Sequence, residues 1–326
     1  MTDEQYALEV EEHLRLHSNI PSRRIAIILN QKFPERTVES FRSMVRHRRG
    51  ALGVYNRTNL ATDEFLNQKY DLPLPSKYDS SNFVIPEKTV LILSDLQIPF
   101  HDIKALETAI GWAKQYNKGK RKIDAILLNG DIMDMYQLSD FSRDPRERKI
   151  PEEIADAKDL LDMLREEFGV PMYWKFGNHE ERYDRYMYRQ CKELIGIEEF
   201  QLENILKLKN YNCTVIKDKR IINIGHLNVI HGHEFRGGIF TTVNPARTFY
   251  TKAKEATLGG DRHQTSEHSE KTINGKLITC WSTGCLCDLK PLYAPINNWN
   301  HGFALVENEG DTFRVHNIRI SNGVIY

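Results

Sequence analysis

A chain of 326 residues in which 45 Lys and Arg balance 45 Asp and Glu carries no net formal charge, so it is neither a wholly basic nucleic-acid coat nor an acidic tail. Hydrophobic residues at 40% and aromatics at 10% suffice for a real core and exclude global disorder. The charged start, MTDEQYALEVEEHLRLH, lacks the apolar stretch of a secretory signal, and no window approaches ~18 uninterrupted apolar residues; a soluble protein with one large domain and an appendage is expected.

Helical patterning begins at once, with a first helix over about residues 3–17. Residues 20–57 then hold nine basic residues against two acidic ones, a local net of +7 inside a neutral protein. Ile20, Ile25, Ile27, Ile28 and Leu29 precede a break at Phe33-Pro34. Beyond it Thr37 suits an N-cap, and Val38, Phe41, Met44 and Val45 form one apolar stripe. Three short helices, the last rich in arginine, resemble a helix-turn-helix or homeodomain-like module. That resemblance implies DNA as a partner, gripped by Arg42, Arg46 and Arg49 on one face of the third helix. The module is bounded at 1–57. Residues 58–88, with Pro73, Pro75 and Pro86 and little periodicity, read as a linker, and 89–326 as the main domain.

From Thr89 short apolar runs end in polar tips: TVLILSD, IDAILLNGD and PMYWKFGNHE. Helical patterns fill the gaps, at 103–115 and at 151–168 with proline in its first turn. Strand–helix–strand alternation with polar strand ends predicts an α/β sandwich whose site lies at the carboxyl edge. From about Lys209 the chain becomes strand-rich. Five cysteines (Cys191, Cys213, Cys280, Cys285, Cys287) are scattered without zinc-ribbon spacing, and buried reduced thiols are expected.

Five polar clusters fall at these tips: Asp95-Leu96-Gln97, Gly130-Asp131-Ile132-Met133-Asp134, Gly177-Asn178-His179-Glu180, His231-Gly232-His233 and Gly260-Asp261-Arg262-His263. Carboxylates, imidazoles and an amide oxygen make a donor set for Mn²⁺, Mg²⁺, Fe or Zn²⁺. In this order the clusters resemble the calcineurin-like metallophosphoesterase superfamily, whose pattern is D-x-H, G-D-x-x-D, G-N-H-D/E, an isolated H, then G-H-x-H. The resemblance covers roughly Thr89 to Leu305. It implies a β-sandwich flanked by helices, carrying two divalent metal ions that activate a hydroxide for attack on phosphorus. By position, Asp95, Asp131 and His263 would hold the first metal. Asp131 would bridge to the second, joined by Asn178 and His231. His179 would be the proton donor, oriented by Asp134.

Two positions depart from that pattern. Gln97 replaces a histidine, and Asp261 replaces another; both changes favour oxygen ligation, Mn²⁺ most of all, and leave the first metal more loosely held. His101 is a candidate to line the substrate pocket, to stand in for the missing histidine at the first metal or to serve structure; His233 is expected to face substrate or to serve structure, and Arg143, in the basic run that follows GDIMD, to attract a polyanion. The segments DLQIPFHD and GDIMDMYQLSDFSRDP resemble phosphoesterases of phage and prophage genomes, which implies the cytoplasm of a bacterial host. Three functions stand open: a phosphodiesterase, nuclease or end phosphatase acting on nucleic acid; a phosphoesterase for nucleotides or cyclic nucleotides; and a DNA-binding protein with a degenerate phosphoesterase domain.

Overall fold

The computed structural model describes residues 2–17, 20–49, 81–140, 144, 146, 149–235 and 243–326, and the chain separates into two units, Met1–Lys77 and Tyr78–Tyr326. In the first unit, α1 (Asp3–Leu16), α2 (Ser22–Lys32) and α3 (Val38–Arg49) enclose Tyr6, Val10, Ile25, Ala26, Leu29, Phe41 and Val45. Thr2 and Gln5 close a capping box at α1. The Thr37 hydroxyl accepts the Ser40 N–H at 3.2 Å, which starts α3 at Val38, as the sequence predicts.

The basic charge of this unit is largely answered from within. Lys32 meets Glu9 at 2.7 Å, Arg36 meets Asp3 at 2.6 Å, Arg48 meets Glu11 at 3.0 Å, and Arg42 meets Glu39 at 3.3 Å. Arg49, expected on a DNA-facing surface, instead donates to the carbonyls of His17 and Ile20 and ties the end of α3 to the turn between α1 and α2. Arg42 is engaged by Glu39, and Arg46 alone of that trio is exposed without an ion-pair partner among the described residues. Arg23 and Arg24 share that condition.

The second unit runs β1 (Phe83–Ile85), β2 (Thr89–Leu93), α4 (Ile103–Tyr116), β3 (Ala125–Asn129), α5 (Ile150–Phe168), β4 (Met172–Lys175), α6 (Glu181–Gln190), α7 (Leu202–Ile205), β5 (Cys213–Ile216), β6 (Ile222–Ile224), β7 (Leu227–Ile230), α8 (Pro245–Ala253), β8 (Thr257–Gly259), β9 (Ser266–Lys271), β10 (Leu277–Ser282), β11 (His301–Asn308), β12 (Phe313–Ser321) and β13 (Val324–Ile325). Among the described residues the strands make two sheets, ordered β13-β12-β11-β2-β3-β4-β5 and β1-β6-β7-β8-β10-β9. β1 falls inside the segment read from sequence as linker, where it pairs with β6.

Alternation along the strands builds the layers. Val90, Ile92, Ala125 and Leu127 point between the sheets, where they meet Ile222, Ile224, Leu227, Val229 and Leu258. Leu91, Leu93, Ile126 and Leu128 point the other way, onto Ala105, Ala109 and Ala113 of α4 and Ala157, Leu160, Leu161 and Leu164 of α5. Burial on both faces explains why β2 and β3 read as unbroken apolar runs. The parallel set β2-β3-β4-β5 and the parallel pair β7-β8 deliver the polar tips.

Candidate metal centre

The chain leaves β2, β3 and β8 through backbone that side chains rarely adopt. Asp95, Gln97, Asp131, Asp261 and His263 have φ of 55°, 50°, 51°, 60° and 53°. Each such residue costs of order 1 kcal/mol or more, and such strain gathers where function requires it. The glycines of the motifs answer crowding instead. A Cβ on Gly130 would enter the His231 ring, and one on Gly177 would meet the Asp131 carboxylate.

These loops converge on a buried group of carboxylates and imidazoles. Asp131 Oδ1 lies 3.3 Å from His231 Nε2, Asp95 Oδ1 lies 3.2 Å from His263 Nε2, and Asp261 Oδ1 lies 3.8 Å from His231 Nε2. Asp95 Oδ1 is 4.0 Å from His231 Nε2, so the same imidazole nitrogen faces three carboxylates. His231 donates its other ring nitrogen to the Asn129 carbonyl at 2.7 Å, which fixes Nε2 as the nitrogen with a free lone pair.

The donor set fits divalent cations. Asp95 Oδ1, Asn178 Oδ1 and His231 Nε2 are buried with no hydrogen-bond partner among the described residues, a costly state unless something else satisfies them. Asp95, Asp131 and His231 present ligand atoms within 4.8 Å of one another. Without a cation, protons are drawn in. Burial lowers the proton affinity of both His231 and His263, yet the facing aspartates raise it above the ordinary value, for His263 to about 9. Asp131, although buried, is held far below the usual carboxylate range by His179 and His231. Gln97 is buried beside this group, with its N–H on the Asp131 carbonyl at 2.9 Å.

His179 stands apart from His231 and His263. Its Nδ1 is 2.8 Å from Asp134 Oδ1, while Nε2 lies 3.5 Å from Asp131 Oδ2 and takes an Arg182 N–H at 2.9 Å. Burial opposes protonation of His179, but Asp131 and Asp134 outweigh it and raise its proton affinity. With Nδ1 turned to Asp134, Nε2 is the nitrogen that would gain or give up the titrating proton, and here it accepts from Arg182. Arg182 also donates to the Asp134 carbonyl at 2.7 Å and so holds both partners.

Three acidic residues that carry no assigned role from sequence hold the loops in place. Glu180, fully buried, accepts the N–H groups of Asp131, Ile132, Met133 and Gly177 at 2.8–3.0 Å and locks two motif loops together. Glu234 accepts from His231 at 3.0 Å and Gly232 at 2.6 Å, and is itself paired at 2.9 Å with the buried Lys175. Burial would raise the Glu234 pKa, but Lys175 leads the charges that bring it down to about 2. Glu153 of α5 accepts from Met135 and Tyr136, behind Asp134. The glutamate in GNHE was the one legible signal; Glu234 and Glu153 look like ordinary surface acids in sequence.

The expected pocket residues divide. His233 turns its Nε2 to Glu181 at 3.0 Å, a contact the sequence did not suggest. His101 is half-buried and its backbone bridges Cys287. Arg143 lies outside the described residues. Trp299 and Tyr293 were not foreseen: Trp299 meets the His263 ring edge-on at 4.1 Å, and Tyr293 meets Trp299 at 6.1 Å.

Comparison with known proteins adds a family. Residues 88–274, more than half of the chain, match the calcineurin-like phosphoesterase family. The chain is similar to the Gene 54 protein of Mycobacterium phage L5, 27% identical over 250 residues and covering 72% of this chain and 95% of that one. It is 26% identical to the Gene 54 protein of Mycobacterium phage D29, with the same coverage. Solved structures similar to it include Vacuolar Protein Sorting 29 from Cryptosporidium parvum (TM-score 0.40, 14% identity, covering 73% and 94% of the two chains). Another is nuclease MPE from Pseudomonas putida (TM-score 0.31, 8% identity, covering 66% and 84%). Among the described residues no helix is long and apolar enough to cross a membrane.

Proposed function

This chain belongs to the calcineurin-like phosphoesterase family of metal-dependent phosphoester hydrolases, and from that premise we propose that it cleaves phosphodiester bonds of nucleic acid at a centre for two divalent cations. Asp95, Asp131, Gln97, Asp261 and His263 would hold the first ion, and Asp131, Asn178 and His231 the second. Such cations, when bound, neutralise phosphate oxygens and lower the pKa of water. An oxygen-rich set with three aspartates and two amides favours Mn²⁺ or Mg²⁺ over softer ions.

The observation that carries the reading is the division of labour among the imidazoles. His231 and His263 turn Nε2 to buried carboxylates, while His179 has Nδ1 on Asp134 and keeps Nε2 at the edge of the same cluster. His179 is therefore suited to hand a proton from Nε2 to the departing oxygen. Asp134 holds its ring in that orientation and stabilises the charged form. Arg182, on the same nitrogen, is placed to receive a phosphate oxygen once substrate displaces the contact.

Nucleic acid is favoured as substrate by Arg23, Arg24 and Arg46, exposed cations of the N-terminal unit without an ion-pair partner among the described residues, and by Trp299 against His263 and Tyr293 against Trp299, whose faces suit a base. The three-helix unit would hold the polymer, and residues 89–326 would carry the chemistry. Full-length protein with Mn²⁺ should hydrolyse bis-p-nitrophenyl phosphate and single- or double-stranded DNA, and EDTA should stop both. Replacing Arg23, Arg24 and Arg46 by alanine should weaken DNA cleavage while sparing the chromogenic diester. Hydrolysis of nucleotides with no DNA binding at low salt would transfer the assignment to small phosphates.

A further inference from the structure

A second group of metal-ligand atoms shares His263 with the centre just described. Its Nε2 faces Asp95 Oδ1 at 3.2 Å, and its Nδ1, on the opposite edge of the ring, lies 3.8 Å from Cys287 Sγ. Cys285 Sγ completes a trio whose ligand atoms all lie within 4.8 Å of one another, every member buried. Neither thiol is in a disulfide. Tetrahedral coordination by sulfur at ~2.3 Å and imidazole nitrogen at ~2.0 Å sets S–N separations near ~3.6 Å, so the observed spacing closes on an ion with little movement.

The segment is held before any ion arrives. Cys285 is bridged in parallel to His301, and Cys287 in antiparallel fashion to His101. Leu286, between them, donates its N–H to the Asp95 carbonyl at 3.0 Å, and the Cys287 carbonyl accepts from His301 Nε2 at 2.9 Å. Trp299 covers the edge of the His263 ring. Cys213 and Cys280, by contrast, belong to no such group among the described residues; burial raises the Cys213 thiol to about 12 and, against a lowering backbone hydrogen bond at Thr257, the Cys280 thiol to about 11.

We propose that Cys285, Cys287 and His263 Nδ1 form a site for a thiophilic metal ion such as Zn²⁺ or Cd²⁺, and that filling it withdraws His263 from the catalytic centre. The second half rests on the two-metal reading above; the first half does not. On binding, both thiols release their protons to solvent and the ion takes the Nδ1 lone pair. A neutral imidazole has one such pair, so its proton then resides on Nε2. That N–H lies on the Asp95 side of the ring, its nitrogen 3.2 Å from Asp95 Oδ1, and leaves Nε2 unable to ligate. Hard-metal occupancy through Nε2 and soft-metal occupancy through Nδ1 therefore exclude each other.

Full-length, reduced, EDTA-treated protein titrated with Cd²⁺ should develop thiolate-to-cadmium charge-transfer absorption in the ultraviolet. Cys285→Ser with Cys287→Ser should abolish it; the single variant Cys287→Ser, checked for folding by circular dichroism, serves if the double variant does not fold. Cd²⁺ should also inhibit Mn²⁺-supported hydrolysis of bis-p-nitrophenyl phosphate, and the substitution should raise the Cd²⁺ needed for half-inhibition by about tenfold or more, the low end for a disturbed metal shell. No absorption band in the folded wild type, or a band undiminished in the variants, overturns the site. A band in the wild type, with half-inhibition unchanged in the variants, overturns the exclusion. Absence of hydrolysis in every form, with the band intact, faults the phosphoesterase reading and leaves the site standing.

Discussion

The two units of this chain treat charge in opposite ways. In the three-helix unit, the acids of α1 pair across exposed surface with bases of α2, of α3 and of the loop between them: Glu9 with Lys32, Glu11 with Arg48 and Asp3 with Arg36. In the second unit, Asp95, Asp131 and His231 are fully or almost fully buried, and Asp95 Oδ1, Asn178 Oδ1 and His231 Nε2 have no hydrogen-bond partner among the described residues. Exposed pairs are worth little individually and say little about function. Buried charges whose remaining valence is unmet, on backbone at positive φ, mark a place where stability has been given up for chemistry. The +7 of residues 20–57 is the louder signal in sequence. The quieter cluster at the strand tips has the clearer consequence.

Breaking the buried side should have the largest effects. Asp131→Asn removes the bridging charge, and turnover on a chromogenic diester should fall below about a hundredth of wild type, since even disturbances behind the ligands cost ~10–100-fold. His179→Asn should lower kcat by ~10²–10⁴ with metal content unchanged by elemental analysis, and by less for substrates with good leaving groups such as p-nitrophenol. Loss of bound metal in that variant would make His179 a ligand and remove the division of labour argued above.

The buried pair Lys175–Glu234 sharpens the comparison through pH. Glu234 titrates at about 2 in the fold, against an ordinary 4.5. A lowered carboxyl stabilises the fold above its unfolded pKa, and that contribution disappears as pH falls through the window from 4.5 towards 2. It amounts to roughly 3 kcal/mol. Denaturant unfolding of Glu234→Gln should therefore show a deficit near neutral pH that narrows as the medium becomes acid; a deficit independent of pH would deny the ion pair. At the small end, Glu11→Gln, which breaks only the exposed contact with Arg48, should cost under ~1 kcal/mol in the same assay. A larger loss would mean that the surface pairs of the three-helix unit carry more than this account gives them.

The layers were legible because burial on two faces writes itself as unbroken apolar runs, and the motif tips because they follow those runs. Thr37 as a cap and the stripe from Val38 to Val45 were legible for the same local reason. What escaped sequence reading is long-range. Arg49 belongs to the right helix, but only the fold brings it onto the carbonyls of His17 and Ile20. His233 sits two residues from a candidate ligand, and nothing local announces that Glu181, 52 positions away, will take its Nε2. β1 is three residues long and has meaning only beside β6. Glu234 and Glu153 act on backbone N–H groups, which no residue type advertises. Cys285 and Cys287 looked inert until His263 was set beside them.

The central claim is that the buried aspartates and imidazoles form a centre for two cations bridged by Asp131. Isothermal titration of Mn²⁺ into the full-length, EDTA-treated protein, with stoichiometry checked by elemental analysis, tests it most directly. The account predicts two ions per chain, the one served by Gln97 and Asp261 held more weakly, and loss of at least one ion in Asp131→Asn. No binding to the wild type, or identical binding in Asp131→Asn, would contradict it.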